Sequence, residues 1–292
     1  GDRVVCGHFA DWIDGPFSPA IFGHDIGATH DGWLAERVLL PAASVIKVPP
    51  SVPDEDVAGL ASAGLTAWNA LVNLCQIKPG ELVLCLGTGG VALAALKLAK
   101  VLGARVAMTS SSDAKLALVR ELGADITVNY RTNPDWAAEL VAQTGGAGAD
   151  IVIETGGQDT LGQSIAATAV NGRIVVVGLT PGVKHAIPDY LRFVTHNITI
   201  RGIANGSRSM MVDLLAAEID RGRVDIALQP SGRDIDDQAV DRQVRLAFCR
   251  VDGMTDHAFE GIEIRDHAGL DAARALMTDA DDVNLMGATR QH

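Results

Sequence analysis

Between about residues 60 and 206, short apolar runs bounded by glycine alternate with longer stretches whose apolar positions recur every three to four residues. Two interleaved periods of that kind predict strands alternating with helices. Glu81–Leu86 reads as the first strand, set up by the turn at Lys78-Pro79-Gly80. A helix over about Val91–Leu102 follows and stops at Gly103, a residue suited to a C-terminal cap. Arg105–Thr109 predicts the second strand, and Ile126–Asn129 the third. Between them, Asp113–Leu122 predicts a helix with Ser112 as N-cap and Gly123 as its stop. Pro134 suits the first position of a further helix capped by Asn133. Ile151-Val152-Ile153 and Ile174-Val175-Val176-Val177 have no polar alternation, as expected of strands buried on both faces. The fold expected is α/β with a doubly wound parallel sheet.

The flanks read differently. Residues 1 to about 60, rich in Gly, Pro and short apolar runs, suggest a small β-rich unit. Within it Gly32–Glu36 leads to an expected strand and turn at Val38-Leu39-Leu40-Pro41. A helix is expected from about Ser207 through Ile219. Ser231–Glu260 carries many charges and no clear period, which predicts an exposed loop or a poorly ordered segment. An amphipathic helix is expected over about Leu270–Met277.

Composition narrows the classes. With 292 residues, 48% of them apolar, the chain can bury a substantial core in one or two domains. A net charge of -12 argues against a nucleic-acid partner. No uninterrupted apolar stretch approaches the ~20 residues that cross a bilayer, so no membrane partner is expected. The start, Gly-Asp-Arg-Val-Val, has neither the basic leader nor the apolar core of a signal peptide. Lacking an initiator Met, the chain is expected to begin part-way through a longer protein. Cys6, Cys75, Cys85 and Cys249 form no CxxC pair, which favours a reducing, cytoplasmic setting.

The sharpest local signal is Gly87-Thr88-Gly89-Gly90-Val91-Ala92, a G-x-G-x-x-A placed between a predicted strand and a predicted helix. In a Rossmann unit the first glycine permits the tight turn and the second lets a pyrophosphate approach the backbone. A small last residue lets helix and strand pack closely, and the helix N-terminus offers N–H groups to the phosphates. An NAD site usually places Asp or Glu at the end of the second strand, about 20 residues on. This chain has Thr109-Ser110-Ser111-Ser112 there, and Lys115 can supply countercharge to a 2′-phosphate. NADP is therefore favoured over NAD. A P-loop would need Gly-Lys-Ser/Thr after Gly90, and a short-chain dehydrogenase a Tyr and a Lys with three residues between them; neither pattern is present.

From Trp12 to Arg208 the sequence resembles the medium-chain dehydrogenase/reductase superfamily, nearest to its quinone-oxidoreductase-like and zinc-type alcohol-dehydrogenase-like members. The likeness is carried by Gly64-Leu65-Thr66-Ala67-Trp68-Asn69-Ala70-Leu71, Leu86–Val91 and Thr109–Leu116. Leu122-Gly123-Ala124-Asp125, Asn129-Tyr130-Arg131, Glu154-Thr155-Gly156-Gly157 and Gly206-Ser207-Arg208 continue it in order. The resemblance implies three parts: residues 1–60 as the remainder of an incomplete β-rich, GroES-like substrate domain, 61–206 as the Rossmann dinucleotide-binding domain, and 207–292 as a return to the substrate domain, divergent in 231–262. It implies that Thr66 faces the nicotinamide and its phosphate, that Gly87, Thr88, Gly89, Gly90 and Val91 hold the pyrophosphate, and that Ser110, Ser111 and Lys115 hold the ribose phosphate. Tyr130 would lie near the adenosine, Gly178 and Leu179 would meet the nicotinamide through backbone groups, and Arg208 would pair with the pyrophosphate.

Departures from the pattern bear on chemistry. The family's N-terminal segment, source of much of the substrate pocket and of the first zinc ligands, is expected to lie ahead of Gly1 and not within these residues. Ser62 stands where zinc-dependent members commonly have Cys, and Ser is a poor zinc ligand. His24, His30, Asp25 and Asp31 crowd one segment, but a polar loop accounts for them. No metal is therefore expected, and the catalytic residues stay unassigned. The activity implied is hydride transfer between NAD(P)H and a quinone, enone, aldehyde or alcohol, by a homo-oligomer, most simply a dimer. Two alternatives stay open: a zinc-dependent alcohol dehydrogenase, and a non-catalytic dinucleotide-binding remnant.

Overall fold

Where backbone polar groups find no neighbouring strand, the chain stays irregular, and this governs residues 2–53. The structure, a computed structural model, describes residues 2–33, 35–177 and 190–220. Near the N-terminus β1 (Val4–Val5) pairs antiparallel with β2 (Ile46–Lys47), two residues each. Between them run loops with short helical turns at Pro19–Ile21 and Ala42–Ser44 and a bridge from Phe9 to Asp25. The strand expected at Val38–Pro41 does not form: Leu39 is 71% exposed, and no partner ladder or apolar face is offered to it. Phe9, Trp12 and Ile21 make a small core of their own.

A helical run over residues 54–74 follows, in which α1 (Asp54–Gly59) and α2 (Leu65–Trp68) alternate with π-helical Leu60–Gly64 and Asn69–Leu74. Leu60, Leu65 and Leu71 are fully buried. By length and composition Asp56–Leu74 would also suffice to cross a membrane, contrary to the sequence expectation, but half of it is buried against the rest of the protein. It is the core helix joining the two parts of the chain.

The remaining elements deliver the expected alternation. They are β3 (Leu82–Cys85), α3 (Gly90–Val101), β4 (Arg105–Ser110), α4 (Asp113–Glu121), β5 (Ile126–Asn129), α5 (Trp136–Gln143), β6 (Ala149–Glu154), α6 (Gln158–Ala167), β7 (Thr168–Val176), α7 (Tyr190–Thr195), β8 (Thr199–Gly202) and α8 (Arg208–Asp220). The strands form one six-stranded sheet in the order β5-β4-β3-β6-β7-β8, parallel throughout. That is the doubly wound order, with its switch between β3 and β6. Successive side chains of each strand feed opposite layers. Val83, Cys85, Ile151 and Ile153 join α3 and the 54–74 helix on one face, while Leu82, Leu84 and Val152 join Trp136, Leu140 and Ile165 on the other. Each fully buried aliphatic contributes about 1.5–3 kcal/mol by leaving water.

One boundary moves. The helix expected from Pro134, with Asn133 as cap, begins at Trp136 instead, and its cap is Asp135, whose carboxylate accepts from the Ala138 N–H at 3.3 Å. Asn133 is drawn back into a turn, its N–H donating to the Asn129 carbonyl at 2.8 Å. At the other end, α8 ties the N-terminal segment to the sheet. The N–H groups of Arg208 and Ser209 donate to Trp12 and Ile13 carbonyls at 2.8 and 3.0 Å. The segment 231–262, the stretch read as loop at 231–260 and the helix expected near Leu270–Met277 lie outside the described residues.

Candidate dinucleotide site

The ends of β3, β4, β5 and β6 converge on a cleft of about 330 Å³ at the carboxyl edge of the sheet. Leu86, Gly87, Thr109, Tyr130, Thr155, Gly156 and Thr160 are among its lining. Ligands of open α/β sheets bind in this position, where strand order reverses. Gly87 turns the chain at φ +72, a left-handed angle that other residues adopt only under strain. A Cβ added at Gly87 or Gly89 would meet nothing within 4 Å, so both backbones look into open space. The turn is held from two sides: the Gly87 N–H donates to Thr109 Oγ1 at 3.1 Å, and Thr155 Oγ1 donates to the Leu86 carbonyl at 2.8 Å. Gly89 caps α3 without a side-chain hydrogen bond. The first N–H groups of that helix, at Gly90 and Val91, thus keep their donors and the positive end of the helix dipole for an anion. Thr88 lies between the two open glycines.

The next wall follows from how β4 ends. Ser110 is buried; its carbonyl accepts from the Tyr130 N–H at 3.0 Å and its Oγ from the Ser112 N–H at 3.3 Å. Ser112 caps α4, its Oγ accepting from the Lys115 N–H at 3.4 Å, as its position predicts. Asp113 receives the Asn129 side-chain amide at 2.8 Å. The nearest acid is therefore engaged with β5, while Ser111 and Lys115 remain partly exposed. Tyr130 is 43% exposed at the cleft.

Other expected site residues lie apart from this cluster. Thr66 is buried on the 54–74 helix, one turn beyond Ser62. Ser62 lines a second cleft, about 190 Å³, with Cys6, His8, Ile26 and Trp33. Arg208 is turned toward the N-terminal segment, its Nε donating to the Val45 carbonyl at 3.2 Å. Gly178 and Leu179 lie outside the described residues. Thr109 and Thr155 were visible only within motifs and Thr160 not at all, because a hydroxyl carries no signal of its own until the neighbouring strand ends are placed. Glu154 was visible only as part of a motif.

The second cleft gives zinc little to bind. Among the described residues no group of three or more His, Cys, Asp or Glu could hold a metal. Burial pushes the Cys6 thiol up to about 11, with Arg208 only partly opposing it. His8 Nε2 lies 3.4 Å from Asp25 Oδ1. Burial opposes ionisation of Asp25, yet the Gly23 N–H, the Thr29 hydroxyl and His8 hold it below the usual carboxylate range. His24 reaches Asp11 at 2.7 Å and stacks on His30, so these residues are spent on the loop itself.

Fold and cleft define a dinucleotide-binding α/β protein of the doubly wound class. The family described as zinc-binding dehydrogenase matches residues 90–221. A zinc-type alcohol dehydrogenase-like protein of Schizosaccharomyces pombe is 41% identical over 224 residues, 74% of this chain and 64% of that protein. The solved structure of an NAD-dependent alcohol dehydrogenase is 34% identical with a TM-score of 0.66, covering 76% of this chain and 66% of that one. An alcohol dehydrogenase from Aeropyrum pernix is 27% identical with a TM-score of 0.63, covering 75% and 66%. Together these likenesses support membership of the medium-chain dehydrogenase/reductase superfamily. It spans 64% of the length of its fission-yeast relative.

Proposed function

We propose that this chain holds a nicotinamide dinucleotide at the β3–α3 turn for hydride exchange with a quinone, enone, aldehyde or alcohol. The observation that carries the reading is the open approach to Gly87 and Gly89 beneath an uncapped helix N-terminus. A bound nicotinamide would supply or accept the hydride at its C4; the chain supplies hold, orientation and exclusion of water. Gly87–Val91 would take the pyrophosphate, Ser110, Ser111 and Lys115 the adenosine ribose, and Tyr130 would flank the adenosine. Thr66, Gly178 and Leu179 would meet the nicotinamide end, with the cleft at Ser62 and His8 admitting substrate; Arg208, its Nε held by the Val45 carbonyl, is not assigned to the pyrophosphate. We assign NADP in preference to NAD, because β4 ends in serines and Asp113 is occupied by Asn129.

The decisive experiment is dinucleotide titration followed by tryptophan fluorescence. Gly89 has φ -78, ordinary for any residue, and space for a Cβ, so Gly89→Ala should leave the melting temperature unchanged. It should weaken NADPH binding by about tenfold, because the methyl stands where the phosphates approach. Unchanged affinity would place the ligand elsewhere. The family description favours a zinc-dependent alcohol dehydrogenase as a second reading. Ser62, standing where such members carry a Cys, argues against it, and elemental analysis near one zinc per chain would restore it. We further infer a homodimer, since β8 ends the sheet with one flank unpaired among the described strands, and a reducing, cytoplasmic setting from the free cysteines Cys6, Cys75 and Cys85.

A further inference from the structure

At the end of β6 a single carboxylate organises the turn that faces the glycine loop. Glu154 has no exposed surface. Its Oε1 accepts from the Gly156 N–H at 2.7 Å, the Gly157 N–H at 3.0 Å and the Thr160 hydroxyl at 2.6 Å. Its Oε2 accepts from the Ser164 hydroxyl. Burying a carboxylate is costly unless donors replace its water, and here four do. All four belong to the residues just after β6 and to the first two turns of α6.

The turn is shaped around that group. Gly157 sits at φ 80 and ψ -143, a conformation essentially restricted to glycine. A Cβ on Gly156 would lie 2.4 Å from Thr160 Oγ1. The outer side of the same turn is functional surface: Thr155, Gly156 and Thr160 line the dinucleotide cleft, and Thr155 also grips Leu86, next to Gly87. One buried side chain thus fixes the wall opposite β4 and, through Thr155, the glycine turn.

The electrostatics point the same way. Helix N-termini attract anions, and α3 and α6 both begin at the carboxyl edge, after the adjacent strands β3 and β6. Both helices begin at a glycine without a side-chain cap. Ahead of α6 the protein's own carboxylate takes the Gly156 and Gly157 N–H groups of the turn, whereas among the described residues no carboxylate lies behind the Gly87–Gly89 turn in the same way. We propose that Glu154 is a positioning residue of the dinucleotide site. It takes the N–H groups of the turn before α6 and the Thr160 hydroxyl, and so holds Thr155 and Gly156 as the wall that faces the glycine turn. This rests on the dinucleotide reading of the β3–α3 turn.

The test compares three variants of the full chain for NADPH dissociation constant and melting temperature. Glu154→Gln keeps the side chain's size but turns one acceptor into a donor. Thr160→Val removes one hydroxyl at the cleft wall. Ser164→Ala also deletes a bond to the carboxylate, but Ser164 is fully buried and not part of the cleft lining. Glu154→Gln should weaken NADPH binding by about tenfold and Thr160→Val by about threefold. Ser164→Ala should stay within about twofold of wild type even where its melting temperature falls. Affinity that simply follows melting temperature across the three would overturn the proposal and leave Glu154 a structural residue. Should Glu154→Gln fail to fold, Thr160→Val against Ser164→Ala decides alone. If the wild-type chain binds neither NADPH nor NADH, the dinucleotide reading fails first, and the assignment of Glu154 falls with it.

Discussion

The central strands β3, β4 and β6 and the loops between β1 and β2 bury their apolar side chains to very different degrees. In the sheet, Val83, Ile151 and Ile153 have no exposed surface, while in the N-terminal segment Phe17, Phe22 and Leu39 are 47, 55 and 71% exposed. The sheet strands satisfy their backbone groups against one another, so their side chains are free to fill two continuous layers. The N-terminal segment relies on borrowed partners. Arg3 donates to the Pro49 and Val52 carbonyls and pairs with Asp54, and Ser209 Oγ donates to Asp14 at 2.7 Å. A ladder of strands propagates order, whereas isolated bonds order only the residues that make them. The dinucleotide site stands on the first kind of structure, and the cleft at Ser62 and His8 leans on the second.

That contrast can be broken most sharply by truncating one side chain from each region. Ile151→Ala should cost about 2–5 kcal/mol of stability, because a cavity opens between layers that cannot collapse. Phe22→Ala should cost less than about 0.5 kcal/mol, as expected of an exposed position. Urea unfolding midpoints measure both, and comparable losses would mean that the N-terminal segment is as integral as the sheet.

Within the glycine turn, two neighbouring positions should separate fold from ligand. Gly87→Ala forces a side chain into φ +72 and should cost about 1–2 kcal/mol of stability as well as affinity. Gly89→Ala should cost affinity alone. Thermal melts with and without NADPH distinguish the two.

At the ribose wall, Ser111→Asp should weaken NADPH binding by about tenfold through like-charge repulsion and leave NADH within about twofold. Equal losses for the two nucleotides would remove Ser111 from the 2′-phosphate contact.

The smallest effect lies on the sheet's surface. Burial pushes the Asp125 carboxyl up, but the Val106 N–H at 2.7 Å and Lys100 at 2.9 Å outweigh it and hold it below its ordinary value. A carboxylate whose pKa is lower folded than unfolded stabilises above its unfolded value, and that stability is lost as pH falls through the folded value. The stability difference between wild type and Asp125→Asn should therefore be present at pH 7 and shrink on acidification through the carboxylate range. A difference constant from neutral to acid pH would show that the charge of Asp125 contributes nothing.

Much of this was legible in the chain because it is local. The strand and helix periods of residues 81–129, the Ser112 cap and the Gly87–Val91 turn are demands that a few adjacent residues make on their own backbone. The expected strand at Val38–Pro41 failed because an apolar run becomes a strand only beside a partner, and none reaches it. Helix α5 began two residues late because Asn133 is held in a turn by Asn129. The sequence alone determined the doubly wound class and the glycine-rich turn after β3. Tertiary structure decided that Thr109 and Thr155 grip that turn from opposite sides, that Asp113 faces Asn129, and that Glu154 gathers four donors from the turn and helix after it. Those outcomes depend on which strand ends lie side by side and how the chain closes around a buried group. Side-chain periods say which residues leave water, but not which neighbours they meet once they have.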